Sequence, residues 1–299
     1  MAYETFTEKL GLRAANRAKL NAALQVITTY MAQGLKLTLR QLFYQLVSRN
    51  VIRNTRSEYS NLSVIVTKGR KAGYIDWDAI EDRIRVPYRH YHVENVLGAL
   101  DRAYCNYRLD RQAGQDVYIE VWVEKDALFN VLLPVTDRYH VYLLVNRGYP
   151  STTAIYDASL RYIEADEEGK AGIIFYIGDH DPSGLDMVRD IEERMEEFGA
   201  FPHLVRIALT WEQIQEHKPP ANYTKIRDPR AEWYISQYGV DCWEVDALPP
   251  EVLNKLVTEA VESKVDLSAF KKILESEAAG RIRLLDIMKN EKRHMKRKK

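Results

Sequence analysis

Three carboxylic acids stand directly behind apolar runs in this chain. Glu124 closes Val121-Trp122-Val123-Glu124, and Asp179 and Asp181 follow Tyr176-Ile177-Gly178, with His180 between them and Pro182-Ser183-Gly184 behind. Carboxylates held close together repel and raise each other's pKa, so such a cluster is costly without a bound cation. A magnesium or manganese ion would offset the repulsion, because hard cations take carboxylate oxygens and bridge to phosphate. The competing reading is local: Asp179 caps a helix beginning near Leu185, and Glu124 pairs with Lys125 or an arginine. Alternation in an extended segment sends His180 to the side opposite the aspartates. Lys125 is a candidate phosphate contact or the partner of an acid.

These acids need a scaffold, and the surrounding pattern predicts one. Apolar runs at Val117–Val123, Val141–Val145, Ile173–Gly178 and Leu204–Leu209 alternate with helical stretches, one of which carries Leu185, Val188, Ile191, Met195 and Phe198 on a single stripe. Continuous apolar strands alternating with helices predict a parallel sheet covered on both faces, with ligands at the carboxyl ends of its strands. Beyond Trp211 the prolines at 219, 220, 249 and 250 break the chain, and a further helix is expected from Glu251 to about Ser263. This part is assigned to an extension of the same domain.

The N-terminal third has another texture. Leu20, Leu24, Ile27 and Met31 predict a helix over 13–33 that Gly34 ends, Thr38 caps a second helix with the stripe Leu39, Leu42, Phe43 and Leu46, and Ser57 opens a third that runs to about Ala72. Tyr74 to Arg85 reads as a short extended ribbon. Helix, turn, helix and ribbon is the order of a winged helix, although any three-helix unit shows the same periodicity. Net charge is zero over 299 residues, yet it is segregated: Thr38–Ala72 carries Arg40, Arg49, Arg53, Arg56, Lys68, Arg70 and Lys71 against Glu58 alone. That excess suits a polyanion, and Arg53, Arg56, Lys68, Arg70, Lys71, Lys125 and Arg147 are the candidate DNA contacts. The basic end from Lys289 to Lys299 is expected to be a disordered, solvated tail.

Hydrophobic residues make up 46% and charged residues 29%, with no apolar run long enough to span a bilayer and no signal-peptide h-region. Cys105 and Cys242 lack metal-ligand spacing. The expectation is a protein of a reducing compartment, cytoplasmic and nucleoid-associated, divided into a winged-helix domain at 1–90, a linker at 91–115 and an α/β domain at 116–299.

Three segments together resemble a known family. Glu124-Lys125-Asp126-Ala127 with Phe129, then Arg147-Gly148-Tyr149-Pro150, then Asp179-His180-Asp181-Pro182-Ser183-Gly184 is similar to the Toprim domain of the topoisomerase VI A subunit and the related meiotic double-strand-break protein. The resemblance implies a Rossmann-like Toprim domain behind a winged helix, with Glu124, Asp179 and Asp181 holding magnesium or manganese. The family's second segment ends in an acid, where this chain has Ser151. Arg40-Gln41-Leu42-Phe43-Tyr44 resembles the segment that carries the family's nucleophilic tyrosine, with Gln41 in the place of an acid.

The resemblance therefore implies a DNA transesterase in which Tyr44, beside Arg40, attacks a phosphodiester and forms a phosphotyrosyl link. It also implies a homodimer in which one protomer's tyrosine serves the other's acids, and a separate ATPase subunit. This chain has no Gly-x-x-x-x-Gly-Lys loop, since Glu164 stands where Gly169-Lys170 would need the first glycine. On its helix Tyr44 lies beside the apolar stripe, so partial accessibility is expected. The alternatives are a metal-dependent nuclease that activates water, with Tyr44 a spectator, and a DNA-binding module without catalysis.

Overall fold

The structure is a computed structural model that describes residues 5–6, 10–80, 92–223 and 228–297, the last two of these in backbone only. Three helices come first: α1 (Ala14–Ala32), α2 (Leu39–Ser48) and α3 (Arg56–Lys71). Their boundaries follow local chemistry. Thr38 forms a reciprocal capping box with Gln41, Thr55 accepts from the Glu58 amide, and Gly34 and Gly73 take positive φ just beyond α1 and α3. Leu20, Val26 and Ile27 of α1 pack with Leu42 and Leu46 of α2 and Leu62 and Ile65 of α3.

The segment expected as an extended ribbon begins differently. Trp77–Ala79 is a 3-10 turn set by the Asp76 carboxylate, which accepts from the Asp78 amide at 2.8 Å. Only a single parallel bridge, Leu37 to Ile80, follows, and residues 81–85 lie outside the described residues. The stretch expected as a linker contains α4 (Val96–Asn106), capped by Asn95.

Next come β1 (Val117–Val123), α5 (Phe129–Tyr139), β2 (Tyr142–Val145), α6 (Thr152–Glu167), β3 (Ala171–Ile177), α7 (Pro182–Glu197) and β4 (His203–Ala208). The four strands form one parallel sheet in the order β2-β1-β3-β4. Both faces are covered. Ile119, Val121 and Val123 pack with α5 on one side, while Trp122, Ile174 and Tyr176 meet α6 and α7 on the other. The register pairs Val123 with both Val145 and Ile177, and Ile177 with Ala208, so all four carboxyl ends finish at one edge.

The remainder wraps back to that edge: α8 (Trp211–His217), a ribbon of β5 (Asn222–Tyr223) and β6 (Asp241–Cys242) enclosing α9 (Ala231–Tyr238), a 3-10 turn at Val245–Ala247, α10 (Pro250–Glu262) and α11 (Leu267–Arg297). The 245–247 turn packs on α2, and Ala247 belongs to the core of the three-helix unit. As far as residue 297 the basic end is the last part of α11 and not a disordered tail, and residues 298–299 lie outside the described residues. Helix α11 lies against α4, with Gly280 admitting the Tyr107 ring and Met288 buried. Among the described residues, no helix is long and apolar enough to cross a membrane.

Candidate functional site

The edge where the strands end carries the predicted acids. Glu124 is the first residue past β1, and its Oε2 accepts the Asp179 amide at 2.9 Å. Asp179 follows β3, with Oδ1 accepting the Val245 amide at 3.0 Å and Oδ2 paired to Lys125 Nζ at 2.5 Å. Asp181, and not Asp179, is the N-cap of α7, accepting from the Gly184 amide at 2.6 Å and from Ser183 Oγ at 2.9 Å. Close packing explains the flanking glycines. A Cβ on Gly184 would land on the Asp179 carbonyl oxygen, and one on Gly178 would enter the Tyr176 ring. Behind the loop the Arg206 guanidinium of β4 donates to the carbonyls of Gly178 at 2.9 Å, Gly184 at 2.8 Å and Asp179, which fixes the loop from below.

The three acids face a cavity of about 620 Å³ whose opposite wall is Arg40 and Tyr44 of α2, with Asn222, Tyr223 and Glu244 between. The two sequence-distant halves of the predicted site thus meet in one chain. Asp179 is 4% exposed, and burial, then the Glu124 charge, push its carboxyl up to about 7 against the pull of Lys125. Burial would lower Lys125, but Asp179 and Asp246 outweigh it and the ammonium is held above its ordinary value. Lys125 therefore keeps its proton, and Asp179 is the member of the pair that loses charge as pH falls.

A hard divalent cation fits this donor chemistry, since buried carboxylate oxygens short of positive charge are what it binds. As the side chains stand, no three His, Cys, Asp or Glu residues among those described are gathered to hold a metal ion. Lys125 occupies one oxygen of Asp179, and the α7 cap occupies one of Asp181. Glu124, Asp179 and Asp181 would form the ligand set once Lys125 gives way.

Tyr44 departs from expectation. It is 5% exposed, because α2 turns it into the three-helix core and the 245–247 turn covers it. Its phenol is raised by burial and by Asp246, while Arg40, Asn222 and Lys125 pull it down. The Arg40 guanidinium stands 5.8 Å from its ring centre. Arg40 pairs with Glu244 and, through Nε at 3.0 Å, with Asp246, whose side chain is wholly buried.

The candidate DNA contacts divide. Arg53 and Arg56 are exposed at the start of α3, where Arg56 lines a side groove with Arg40 and Tyr44. Arg147 is exposed beyond β2 and pairs with Asp126 at 3.0 Å. Lys68 and Lys71 lie about 18 Å or more along α3 from Arg56, at its far end. Lys68 donates to the Gly11 carbonyl at 3.0 Å. Arg70 is spent on structure: it donates to the carbonyls of Trp77, at 2.7 Å, and Ile80, and stacks 5.3 Å from the Trp77 ring. His180 points away from the acids, as alternation requires. It is 2% exposed among Trp211, Tyr234, Tyr238 and Trp243, and burial pushes it down to about 4.

Sequence reasoning missed Asn222, Glu244, Asp246 and Arg206. The alternation of apolar and acidic residues in Trp243-Glu244-Val245-Asp246-Ala247 reads as a strand with its acids turned outward, whereas the segment ends in a 3-10 turn that buries Asp246, so it gave no usable signal. Comparisons of the chain with protein-family models, with curated proteins and with solved structures find no match.

Proposed function

We propose that this chain cleaves DNA phosphodiesters at the cavity between the three-helix unit and the carboxyl edge of the sheet, as a winged-helix and Toprim-type arrangement would. The observation that carries the reading is the convergence of Glu124, Asp179, Asp181 and Tyr44 on one cavity. A magnesium or manganese ion held by Glu124, Asp179 and Asp181 would supply positive charge to the phosphate oxygens. Arg40 and Lys125 bind and orient the phosphate, and the exposed Arg53, Arg56 and Arg147 attract the polyanion. The Tyr44 phenol oxygen attacks phosphorus, the bond from phosphorus to the sugar oxygen breaks, and the phenol proton ends on that oxygen. Because Tyr44 and the acids share a cavity in one chain, this step does not need a second protomer to unite them, and a homodimer would serve to cut both strands. Strand passage would require an ATPase partner.

A second reading keeps the same acids and makes water the nucleophile. It is favoured by the burial that holds the Tyr44 phenol above its ordinary value of 10.0. The test is supercoiled DNA with magnesium or manganese, resolved with and without detergent and protease. Tyr44→Phe is expected to abolish a covalent protein–DNA adduct, and cleavage that persists without an adduct selects hydrolysis. Undiminished cleavage by Glu124→Ala would end both readings.

A further inference from the structure

One carboxylate in the cavity is held in an unusual way. Glu244 Oε2 accepts from Arg40 Nη2 and lies 3.4 Å from Lys125 Nζ, while its Oε1 accepts from Asn222 Nδ2 at 3.2 Å. Three donors from α2, the loop after β1 and β5 thus converge on a single anion. Glu244 is also close to the acids of the site, because Lys125 pairs with Asp179 as well.

Each donor has a second anchor that does not involve Glu244. Arg40 Nε is 3.0 Å from buried Asp246, Lys125 Nζ is 2.5 Å from Asp179, and Asn222 Oδ1 accepts from Asn54 Nδ2 at 2.6 Å. The last bond also fixes the amide orientation, aiming the Asn222 NH2 group at Glu244. Removal of the Glu244 carboxylate would therefore leave two cations and one amide donor already positioned around an anion-sized space. The Glu244 side chain is partly exposed and faces the cavity, so it can turn outward.

We infer that Arg40, Lys125 and Asn222 form a binding subsite for a DNA phosphodiester, and that the Glu244 carboxylate is its built-in competitor. The chemistry matches: a phosphodiester carries one negative charge and two free oxygens, as a carboxylate does, so exchange leaves the charge of the subsite unchanged. The inference rests on the reading of the cavity as a nucleic-acid site, and it adds that the chain screens its own phosphate donors until DNA displaces Glu244.

The test is DNA binding by the full chain, measured by fluorescence anisotropy of a labelled duplex in the presence of a chelator, so that cleavage plays no part. Glu244→Gln, which keeps the shape and removes the charge, is expected to tighten binding about tenfold, equivalent to ~1.4 kcal/mol. The log–log salt slope should stay close to the parent's, because the parent makes the same phosphate contact once DNA displaces Glu244. Adding Arg40→Ala to Glu244→Gln should erase the gain. Glu244→Asp, which retracts the carboxylate by one methylene, gives an intermediate gain and serves if Glu244→Gln melts early. Folded variants that bind no tighter than the parent would overturn the subsite even if the parent cleaves DNA through Glu124. A gain in binding with no cleavage under any metal condition would support the subsite while ending the cleavage proposal. A gain for inorganic phosphate without one for DNA would overturn the assignment to a diester.

Discussion

At the scale of the residue, Gly184 is among the least replaceable positions near the acids, because its Cα approaches the Asp179 carbonyl with no room for a side chain. Gly184→Ala is expected to destabilise the chain by ~1–3 kcal/mol, the usual range for overpacking, and to shift the Asp179 loop, which denaturant midpoints would report. Asp186 allows a prediction in pH. It accepts from Arg189 at 2.8 Å, Tyr149 at 2.7 Å and Arg230 at 2.6 Å, and chiefly the Arg189 bond lowers its carboxyl from 3.8 to about 2. A folded-state pKa below the unfolded one contributes stability that is present above 3.8 and lost as pH falls toward 2. Asp186→Asn should therefore be less stable by ~1 kcal/mol at neutral pH, since its chief partner Arg189 is exposed and screened by solvent, and match the parent below that window, read from melting temperatures across the acid range. The acids themselves were legible in the sequence because strand, glycine and acid are adjacent in it. The burial of Tyr44 was not, since what covers it, the 245–247 turn, lies two hundred residues away.

At the scale of the element, helix starts and strand spans followed from local chemistry. The capping box at Thr38 and the four apolar runs predict α2 and β1–β4 to within a residue or two. The tail failed as an expectation, and the stretch expected as a linker holds a helix, for a common reason: α4 has no buried residue of its own and packs against the distant α11. The segment just past α4 is tied to α11 by Glu277, which receives Arg111 at 2.9 Å and the Leu109 amide at 3.2 Å, besides Arg281 of its own helix at 3.1 Å. Glu277→Ala leaves the nearly buried Arg111 without a counter-ion, held by the Arg138 carbonyl at 2.7 Å, and is expected to cost ~3 kcal/mol and to loosen α4 and α11 first. Hydrogen exchange should show protection lost in these two helices while the sheet keeps its own; uniform loss over the whole chain would contradict the role assigned to Glu277.

At the scale of the whole molecule, the three-helix unit and the sheet are joined through charge as much as through apolar packing. Asp246 is buried with Arg40 as its counter-ion, and the Asn54–Asn222 bond adds a second tie beside it. Arg40→Ala would strand a buried carboxylate, with an expected loss of ~3–5 kcal/mol. The double substitution Arg40→Met with Asp246→Leu should recover most of that stability while abolishing any DNA cleavage. Calorimetry and the plasmid assay on the same samples separate the two effects, and cleavage by a well-folded double variant would remove Arg40 from the proposed chemistry.

The sequence by itself determined the parallel sheet, the positions of Glu124, Asp179 and Asp181 at its carboxyl edge and the capped helices of the N-terminal unit. Each depends on periodicity or on neighbours a few residues apart. Tertiary structure alone decided that Tyr44 and Arg40 face those acids, that Arg70 serves a turn, and that Glu244 and Asp246 complete the cavity. These depend on how β5, β6 and the 245–247 turn fold back across the sheet edge, and contacts between residues about two hundred positions apart leave no periodic trace in the chain.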